Sequence, residues 1–226
     1  MKNQLILDFP VSDVYLKEDF FVTKSNKDIF NYLESWPKWE KNLINIFGPS
    51  GSGKSHLVSI FKKKVSSLII NSNNISDEVF IKLKSKQALI IEDLTENVSE
   101  QLLYSIFNTI VQENKYLIIT SKKSLRLFKF NLLDLKSRIQ FVLNFEIKLP
   151  DDNLIFVILA KNFSDRQIKV NKKIIDYIIR RIDRSYENIS NFVSLLDKNS
   201  LKKGKPFNYK IIDETLNCLR HLNKNE

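Results

Sequence analysis

The chain has 226 residues, of which 43% are apolar, and its formal net charge is +10. This length suits one larger domain or two smaller ones, and the apolar fraction is sufficient for a packed core. The longest uninterrupted apolar run, residues 154–160, is too short to span a bilayer, and Asp8 interrupts the apolar segment that a signal peptide would need. We therefore expect a globular cytoplasmic protein without a membrane partner.

The positive charge is spread along the chain in pairs and triples, such as residues 62–64 and 202–203, and no recognition motif accompanies it. A specific DNA-reading surface is one interpretation. We favour a diffuse lysine-rich surface that contacts DNA only indirectly or non-specifically.

The lone cysteine, Cys218, excludes an intrachain disulfide, and we expect it to be buried in the last helix. The two histidines, His56 and His221, are too far apart in sequence to suggest a metal cluster.

The first predicted strand, residues 42–47, leads into the sequence GPSGSGKS at residues 48–55, and helical spacing follows over residues 56–64. This order of strand, glycine-rich loop and helix is the context of a Walker A phosphate loop. Gly51 and Gly53 allow successive backbone N–H groups to turn toward an anion. The alternative is a glycine-rich turn that matches by accident.

The phosphate loop predicts a bound nucleotide, ADP or ATP, with Mg²⁺. Lys54 is expected to reach the β- and γ-phosphates and Ser55 to place its hydroxyl on Mg²⁺, while the following helix adds the positive end of its dipole. The residues predicted to contact the nucleotide are Gly48, Pro49, Ser50, Gly51, Ser52, Gly53, Lys54, Ser55 and His56.

Further strand-like runs occur at residues 67–70, 88–91, 116–120 and 141–147, and segments of helical periodicity separate them. This alternation predicts an α/β domain with a parallel sheet. Between two of these strands, residues 99–114 place a stripe of apolar side chains on one helical face, which we assign to the core: Leu102, Leu103, Ile106, Phe107 and Ile110.

The strand at residues 88–91 ends in Glu92 and Asp93, which is the Walker B arrangement. A carboxylate at that end of a parallel sheet lies near the phosphate loop, where it can hold the Mg²⁺ water shell while its neighbour polarises an attacking water. We assign Glu92 to the metal and both acids to catalysis. Acid pairs are also common in ordinary turns, so the assignment depends on the preceding phosphate loop.

The pattern changes at Pro150, beyond which there is little strand signal. A stripe of isoleucines in this region is typical of a small helical bundle: Ile174, Ile175, Ile178, Ile179 and Ile182. We predict an N-terminal tail at residues 1–12, an α/β nucleotide-binding domain at 13–150 and a helical lid at 151–226.

Several segments together resemble one family, the DnaA-type AAA+ ATPases, over nearly the whole chain. Residues 54–57 (KSHL) are similar to the family's GK[ST]HL sequence, residues 117–121 to its sensor strand and residues 135–138 (LKSR) to its L-x-S-R box. The resemblance implies that Arg138 is an arginine finger and that His56 is a helix-packing residue. It also implies sensor roles for Thr120 and Ser121, and an adenine-contacting segment with Phe21, Val22 and Asn26.

The two ends of the chain resemble the regulatory members of this family. Residues 4–9 (QLILDF) are similar to peptides that dock on the β sliding clamp, with Gln4, Leu5, Leu7 and Phe9 as the expected contacts. The alternative is an edge strand that packs Leu5 and Leu7 on the protein body. Because no helix-turn-helix domain follows the lid, we expect no reading of an origin sequence.

Two departures from the family pattern affect the expected activity. Glu92 precedes Asp93, whereas many such ATPases have Asp first, and the lid arginine that contacts phosphate falls on Glu187, three residues after Arg184. We expect either that Arg184 substitutes as the lid sensor or that the lid senses little. We therefore expect weak intrinsic ATPase activity, with the nucleotide, ADP in particular, held as a structural ligand.

The resemblance implies a regulator that docks on the clamp and completes the ATP site of the DnaA initiator with Arg138. The alternative for Arg138 is a surface ion pair with Asp134 or Glu146. A helicase loader and an independent P-loop enzyme, such as a small-molecule kinase, are the rival functions. A homo-oligomer is compatible with all three.

Overall fold

Five parallel strands form the single sheet of the computed structural model, which describes residues 20–166, 170–203 and 209–222. The strands lie in the order β2-β3-β4-β1-β5. Their bounds are β1 Leu43–Phe47, β2 Ser67–Asn71, β3 Ala88–Leu94, β4 Tyr116–Ser121 and β5 Leu143–Glu146. The predicted α/β class and parallel sheet are confirmed.

Helices connect the strands and follow them along the chain. In the sheet region these are α1 Lys27–Glu34, α2 Lys54–Lys62, α3 Glu78–Leu83, α4 Glu100–Gln112 and α5 Leu133–Gln140. Beyond the sheet lie α6 Asp152–Asp165, α7 Lys172–Ile179, α8 Tyr186–Lys203 and α9 Tyr209–Leu222. Among the described residues, no helix is long and apolar enough to cross a membrane.

The sheet is buried on both faces, as expected for a parallel sheet covered by helices. On one face, the α4 stripe packs against β3 and β4, with Leu103, Ile106, Phe107 and Ile110 fully buried and Leu102 partly buried. A second apolar cluster on the other face includes Leu57 and Phe61 of α2 and Ile29 of α1. The two clusters hold the strand ends in a fixed arrangement.

The strand order places β4 between β1 and β3, with Ile46 paired to Thr120 and Ile91 to Ile119. Because parallel strands present their carboxyl ends at one edge, the segments that follow β1, β3 and β4 meet there. The phosphate loop, the acidic pair and the residues after β4 are therefore neighbours.

The helices beyond residue 150 have an apolar cluster of their own, which includes Ile175, Ile178, Ile179 and Ile182 from the predicted stripe. Asp151 accepts a hydrogen bond from Leu154 N at 2.8 Å and Asn171 one from Ile174 N at 3.0 Å, so each caps the start of its helix. A separate core supports the domain boundary predicted at Pro150, which stays a prediction.

The prediction that Cys218 is buried is wrong, because its side chain is exposed on α9. The buried stripe of this helix consists of Ile211, Ile212, Thr215, Leu216 and Leu219. At 100° per residue, position 218 lies outside that stripe.

Candidate nucleotide-binding site

The phosphate loop connects β1 to α2 in a conformation that depends on glycine. Gly51 and Gly53 have φ angles of 73° and 89°, which side chains rarely tolerate. A Cβ on Gly48 would lie 2.6 Å from the carbonyl oxygen of Ile147, so the backbones of the loop and of the segment after β5 approach closely. The predicted role of these glycines in shaping the loop agrees with this geometry.

Lys54 lies at the start of α2 with only 7% of its surface exposed. Its Nζ donates hydrogen bonds to the carbonyl oxygens of Gly48 and Pro49, at 2.9 Å each. Burial lowers the pKa of Lys54; the negative charge of Asp93 opposes this shift and the positive charge of Lys122 adds to it. An anion in the loop would relieve the cost of keeping this ammonium charged.

The hydroxyl groups of Ser52 and Ser55 show whether the loop can accommodate a phosphate group and its metal ion. Ser52 Oγ is buried and has no hydrogen-bond partner among the described atoms, so it is free to donate to a phosphate oxygen. Ser55, in the first turn of α2, is exposed and available to a Mg²⁺ ion. Together with the Lys54 ammonium, these donors fit a phosphate group with its metal.

The acidic pair ends β3 in an irregular conformation. Asp93 has a φ angle of 53°, and β3 shifts its pairing register with β4 between Ile91 and Leu94. The backbone N–H of Asp93 donates to Thr120 Oγ1 at 2.9 Å, and its carbonyl oxygen accepts from Ser72 Oγ at 2.7 Å. These bonds hold a strained residue in place at the sheet edge.

The two acids differ in their surroundings. Asp93 is exposed and lines a cavity beside Ser50 of the phosphate loop, whereas Glu92 is half-buried on the strand. The charge of Asp93 also acts on Lys54. Metal binding by Glu92 stays a prediction, but Asp93 is the carboxylate that the structure brings to the phosphate loop.

The two predicted sensor hydroxyls, on Thr120 and Ser121, are fully buried and already hydrogen-bonded. Thr120 Oγ1 accepts from Asp93 N, while Ser121 Oγ donates to Lys123 O at 2.7 Å and accepts from Asn45 Nδ2 at 2.9 Å. These contacts shape the segment after β4. A direct contact from either hydroxyl to a nucleotide stays a prediction.

Lys122, the next residue, was not predicted from the sequence to lie at the site. It is exposed, and within the described parts of the chain its ammonium has no hydrogen bond or ion pair, whereas Lys123 Nζ pairs with Glu96 at 2.9 Å. Both lysines line a cavity of about 590 Å³ beside the phosphate loop. The other lining residues are Ser50, Asp93, Leu94, Thr95, Glu96 and Phe128.

The segment predicted to contact adenine lies before α1. Phe21 and Val22 are 42% and 43% exposed, while Asn26 is buried and uses its amide to bind Phe21 O at 2.9 Å and Thr23 N at 2.9 Å. Asn26 therefore fixes the turn and leaves the two apolar side chains available to a base. Adenine binding stays a prediction.

Phe20 lies within the segment at residues 19–26 that was predicted to pack on adenine, although it was not assigned a contact of its own, and it connects this segment to the phosphate loop. Its ring stacks on Phe30 with centroids 5.7 Å apart and meets His56 edge-on at 5.1 Å. A Cβ on Gly53 would lie 3.3 Å from Phe20 Cε2. The contact agrees with a packing role for His56.

The start of α8 lies over the phosphate loop. A Cβ on Gly51 would be 3.1 Å from Tyr186 Cβ and 3.9 Å from the backbone nitrogen of Glu187. Tyr186 donates to Lys148 O at 3.1 Å, and burial raises the pKa of its hydroxyl. The lid residue at the loop is therefore a buried tyrosine followed by an acid.

Arg184, the predicted lid sensor, forms an ion pair with Asp152 at 2.9 Å, and both side chains are more than half exposed.

Arg138, the predicted arginine finger, lies half-buried on α5. Within the described residues its guanidinium has no hydrogen bond or ion pair, so it does not pair with Asp134 or Glu146. The predicted clamp-binding residues Gln4, Leu5, Leu7 and Phe9 lie outside the described residues.

Comparisons with known proteins relate the chain to replication initiators. Residues 44–126 match the model of a family described as RNA helicase. The chromosomal replication initiator DnaA of Helicobacter hepaticus is 25% identical over 208 residues, covering 81% of this chain and 45% of DnaA. DnaA of Buchnera aphidicola is 24% identical over 243 residues, covering 94% and 53%. The chain spans about half the length of these relatives.

Solved structures share the fold. Domain III of Thermotoga maritima DnaA superimposes with a TM-score of 0.73 at 19% identity, covering 93% of this chain and 99% of that domain. AMPPCP-bound DnaA from Aquifex aeolicus gives 0.69 at 20% identity, covering 86% and 68%. The Thermotoga maritima RuvB branch migration motor gives 0.67 at 17% identity, covering 86% and 68%. The chain therefore has the fold that these solved structures share, and its sequence is similar to about half the length of DnaA.

Proposed function

We propose that this protein is a regulator of replication initiation of the Hda type. It holds ADP or ATP with Mg²⁺ in the phosphate loop, docks on the β sliding clamp through residues 4–9 and stimulates hydrolysis of DnaA-bound ATP with Arg138. The similarity to DnaA supports the replication context. The buried Lys54 and the Ser52 hydroxyl, which has no partner among the described atoms, support nucleotide binding.

The observation that carries the proposal is the state of Arg138. Within the described residues nothing neutralises its guanidinium, and the alternative ion pairs with Asp134 and Glu146 do not form. Leu133 and Phe141 at the two ends of α5 are 73% and 64% exposed. An unpaired arginine between exposed apolar side chains suits a protein interface in which the arginine reaches a partner's phosphates.

Arg138 acts in trans in this mechanism. Its positive charge would stabilise the charge that spreads over the phosphoryl group in the transition state, an effect on the order of 10³ to 10⁵ in rate for arginine fingers of GTPases. The protein's own site is expected to hydrolyse ATP weakly, because Arg184 is paired with Asp152. Its nucleotide then serves mainly to hold α8 against the loop.

Docking on the clamp would raise the local concentration of the protein near the initiator. Residues 4–9 combine a glutamine with alternating apolar residues, which suits insertion into an apolar groove. A Leu7→Ala variant is expected to keep nucleotide binding and to lose most clamp binding in a pull-down. Normal clamp binding by this variant would contradict the docking role.

Arg138→Ala tests the finger. The variant is expected to fold and to bind nucleotide and clamp as the wild type does, while stimulation of DnaA hydrolysis falls to the background rate. Lys136→Ala, which removes an exposed cation from the same helix, is the matched control and should retain stimulation. Full stimulation by Arg138→Ala would refute the assignment.

The cavity beside the phosphate loop favours a second candidate, a P-loop kinase. Its charged lining at Asp93 and Lys122 next to Ser50 could receive a phosphoryl acceptor. Rapid ATP turnover by the protein alone, dependent on a small molecule, would support this candidate. Turnover that depends on DnaA would exclude it.

A further inference from the structure

The ends of α7 and α9 border a cleft of about 260 Å³ in the helical part of the chain. Three arginines, Arg180, Arg181 and Arg220, are among its lining residues, and Asp183 is the acidic residue among them. Both helices end near the cleft, so their carbonyl ends offset part of the positive charge. The cleft nevertheless concentrates one sign of charge in a small volume.

These arginines differ from others in the same region. Arg166 lies 3.7 Å from the carboxylate of Asp197, and Arg184 pairs with Asp152. In contrast, the arginines that line the cleft have no ion pair in the described ranges of the chain. Grouped like charges repel one another, so an external anion would lower the free energy of this cluster.

Two of the guanidinium groups are held in place by the protein. Arg181 lies over the Tyr177 ring, 3.6 Å from its centroid, and donates to Tyr177 O at 3.3 Å. Arg220 donates to Arg181 O at 3.1 Å. A guanidinium has five N–H donors, so each keeps several for a ligand, and less side-chain entropy is lost when the ligand binds.

We propose that this cleft binds the phosphate backbone of DNA. Guanidinium groups match phosphate oxygens in paired hydrogen bonds, and a cleft of this size holds one or two phosphates. The site lies on the lid and is separate from the phosphate loop. It gives the expected non-specific DNA contact a definite location, and it does not depend on the proposed regulatory function.

A polymeric anion suits the molecule better than an isolated phosphate or an acidic peptide. The chain carries a net charge of +10, which attracts a polyanion over a distance and thereby raises its local concentration at the cleft. DNA presents regularly spaced phosphates, so neighbouring basic residues contribute to the same contact. Binding should be independent of base sequence because the cleft offers only phosphate contacts.

The test is fluorescence anisotropy of a short labelled DNA duplex titrated with the full chain over a range of salt concentrations. The double variant Arg180→Gln, Arg220→Gln is compared with Arg166→Gln, Arg184→Gln, which removes the same charge from arginines that have acidic partners. We expect the cleft variant to bind about tenfold more weakly. Its slope of log affinity against log salt should fall by about two, since each phosphate contact contributes about 0.9.

If the double variant is unstable, the single variant Arg180→Gln replaces it in the test. This variant is expected to fold, because Arg180 makes no side-chain hydrogen bond with the described residues. It should reduce the salt slope by about one. Equal losses of DNA affinity in the cleft and control variants would mean that DNA responds only to the overall positive charge of the surface, and would overturn the proposal. So would absence of wild-type binding, or complete displacement of DNA by polyglutamate at equal charge concentration.

Discussion

Tyr186, in the first turn of α8, lies directly against Gly51 of the phosphate loop: a Cβ on Gly51 would be 3.1 Å from the Tyr186 Cβ. The Tyr186 hydroxyl donates to Lys148 O at 3.1 Å and also bonds the side chain of Ser25. One side chain thus connects the lid to the loop and to the segments before α1 and after β5. Any change in the loop should reach the lid through this contact.

Replacing Tyr186 by Phe is expected to destabilise the protein by about 1–2 kcal/mol, because the buried Tyr186 side chain loses its partly buried hydrogen bond to Lys148 O and its bond to Ser25. Tyr32→Phe is the matched control, since the Tyr32 hydroxyl donates to Lys41 O at an exposed site where water can replace it. Urea unfolding measures both. A larger loss for Tyr32→Phe than for Tyr186→Phe would contradict this account of the lid contact.

Asn45 is a buried amide whose three hydrogen bonds organise the segment after β4. Its Nδ2 donates to Ile119 O at 3.2 Å and to Ser121 Oγ at 2.9 Å, and its Oδ1 accepts from Leu125 N at 3.1 Å. Asn45→Leu should cost about 3 kcal/mol, because Leu125 N loses its acceptor at a buried site and Ile119 O and Ser121 Oγ each lose one hydrogen bond. The measurement is the free energy of unfolding in urea.

Asn42→Ala is the control for Asn45, since it removes one partly buried hydrogen bond to Lys115 O from the residue just before the same strand. It should cost about 1 kcal/mol. Equal losses at the two positions would mean that the Asn45 network contributes little beyond a single bond.

The lowered pKa of Lys54 predicts how nucleotide binding depends on pH. The charged ammonium binds phosphate, so affinity for ADP should fall as pH rises through the lowered pKa, before the range of about 10.4 where ordinary lysines titrate. The stability of the folded protein without nucleotide depends on pH in the opposite direction. Because burial disfavours the charged Lys54 ammonium, the free energy of unfolding rises over the same pH range. Calorimetric titration with ADP at increasing pH measures the first effect.

Lys54→Arg is the control for this pH dependence, because its side chain stays charged throughout. Its ADP affinity should be weaker but nearly constant with pH. A flat profile for the wild-type protein would mean that the Lys54 ammonium does not contribute to binding.

Lys122 is expected to distinguish ATP from ADP. It follows β4, between the phosphate loop and Asp93, and lines the cavity next to Ser50 without a partner in the described residues. Removing one charge-assisted hydrogen bond to a terminal phosphate, as in Lys122→Gln, should weaken ATP binding about tenfold and ADP binding less than twofold. Fluorescent nucleotide displacement measures both affinities.

Lys123→Gln is the matched control for Lys122, because Lys123 lies in the same cavity but is already paired with Glu96. It should bind both nucleotides as the wild type does. Equal effects of Lys122→Gln on ATP and ADP would place this lysine away from the terminal phosphate.

Local patterns were sufficient to predict most of the sheet. The apolar runs gave β1 to β4 to within three residues at each end, because strands buried on both faces are continuous apolar segments. The fifth strand, expected over residues 141–147, spans only Leu143–Glu146. Phe141 and Val142 instead close the end of α5 through bonds to Arg138 O and Ile139 O.

The candidate site was only partly predictable, because several of its contacts join residues that are distant in sequence. The phosphate loop and acidic pair are local motifs and were recognised. The contact of Tyr186 with Gly51 and the bond of Asn45 to Ser121 depend on how the chain folds back. A polar residue within an otherwise apolar strand was the available signal for Asn45.

Regulation of the proposed kind requires that this protein accelerate hydrolysis of ATP by DnaA when the clamp is present. The most direct measurement is the rate of phosphate release by purified DnaA with this protein added, with and without β clamp loaded on DNA. We predict acceleration that requires the loaded clamp. Nucleotide-bound protein that leaves the DnaA rate unchanged in the presence of the loaded clamp would contradict the account.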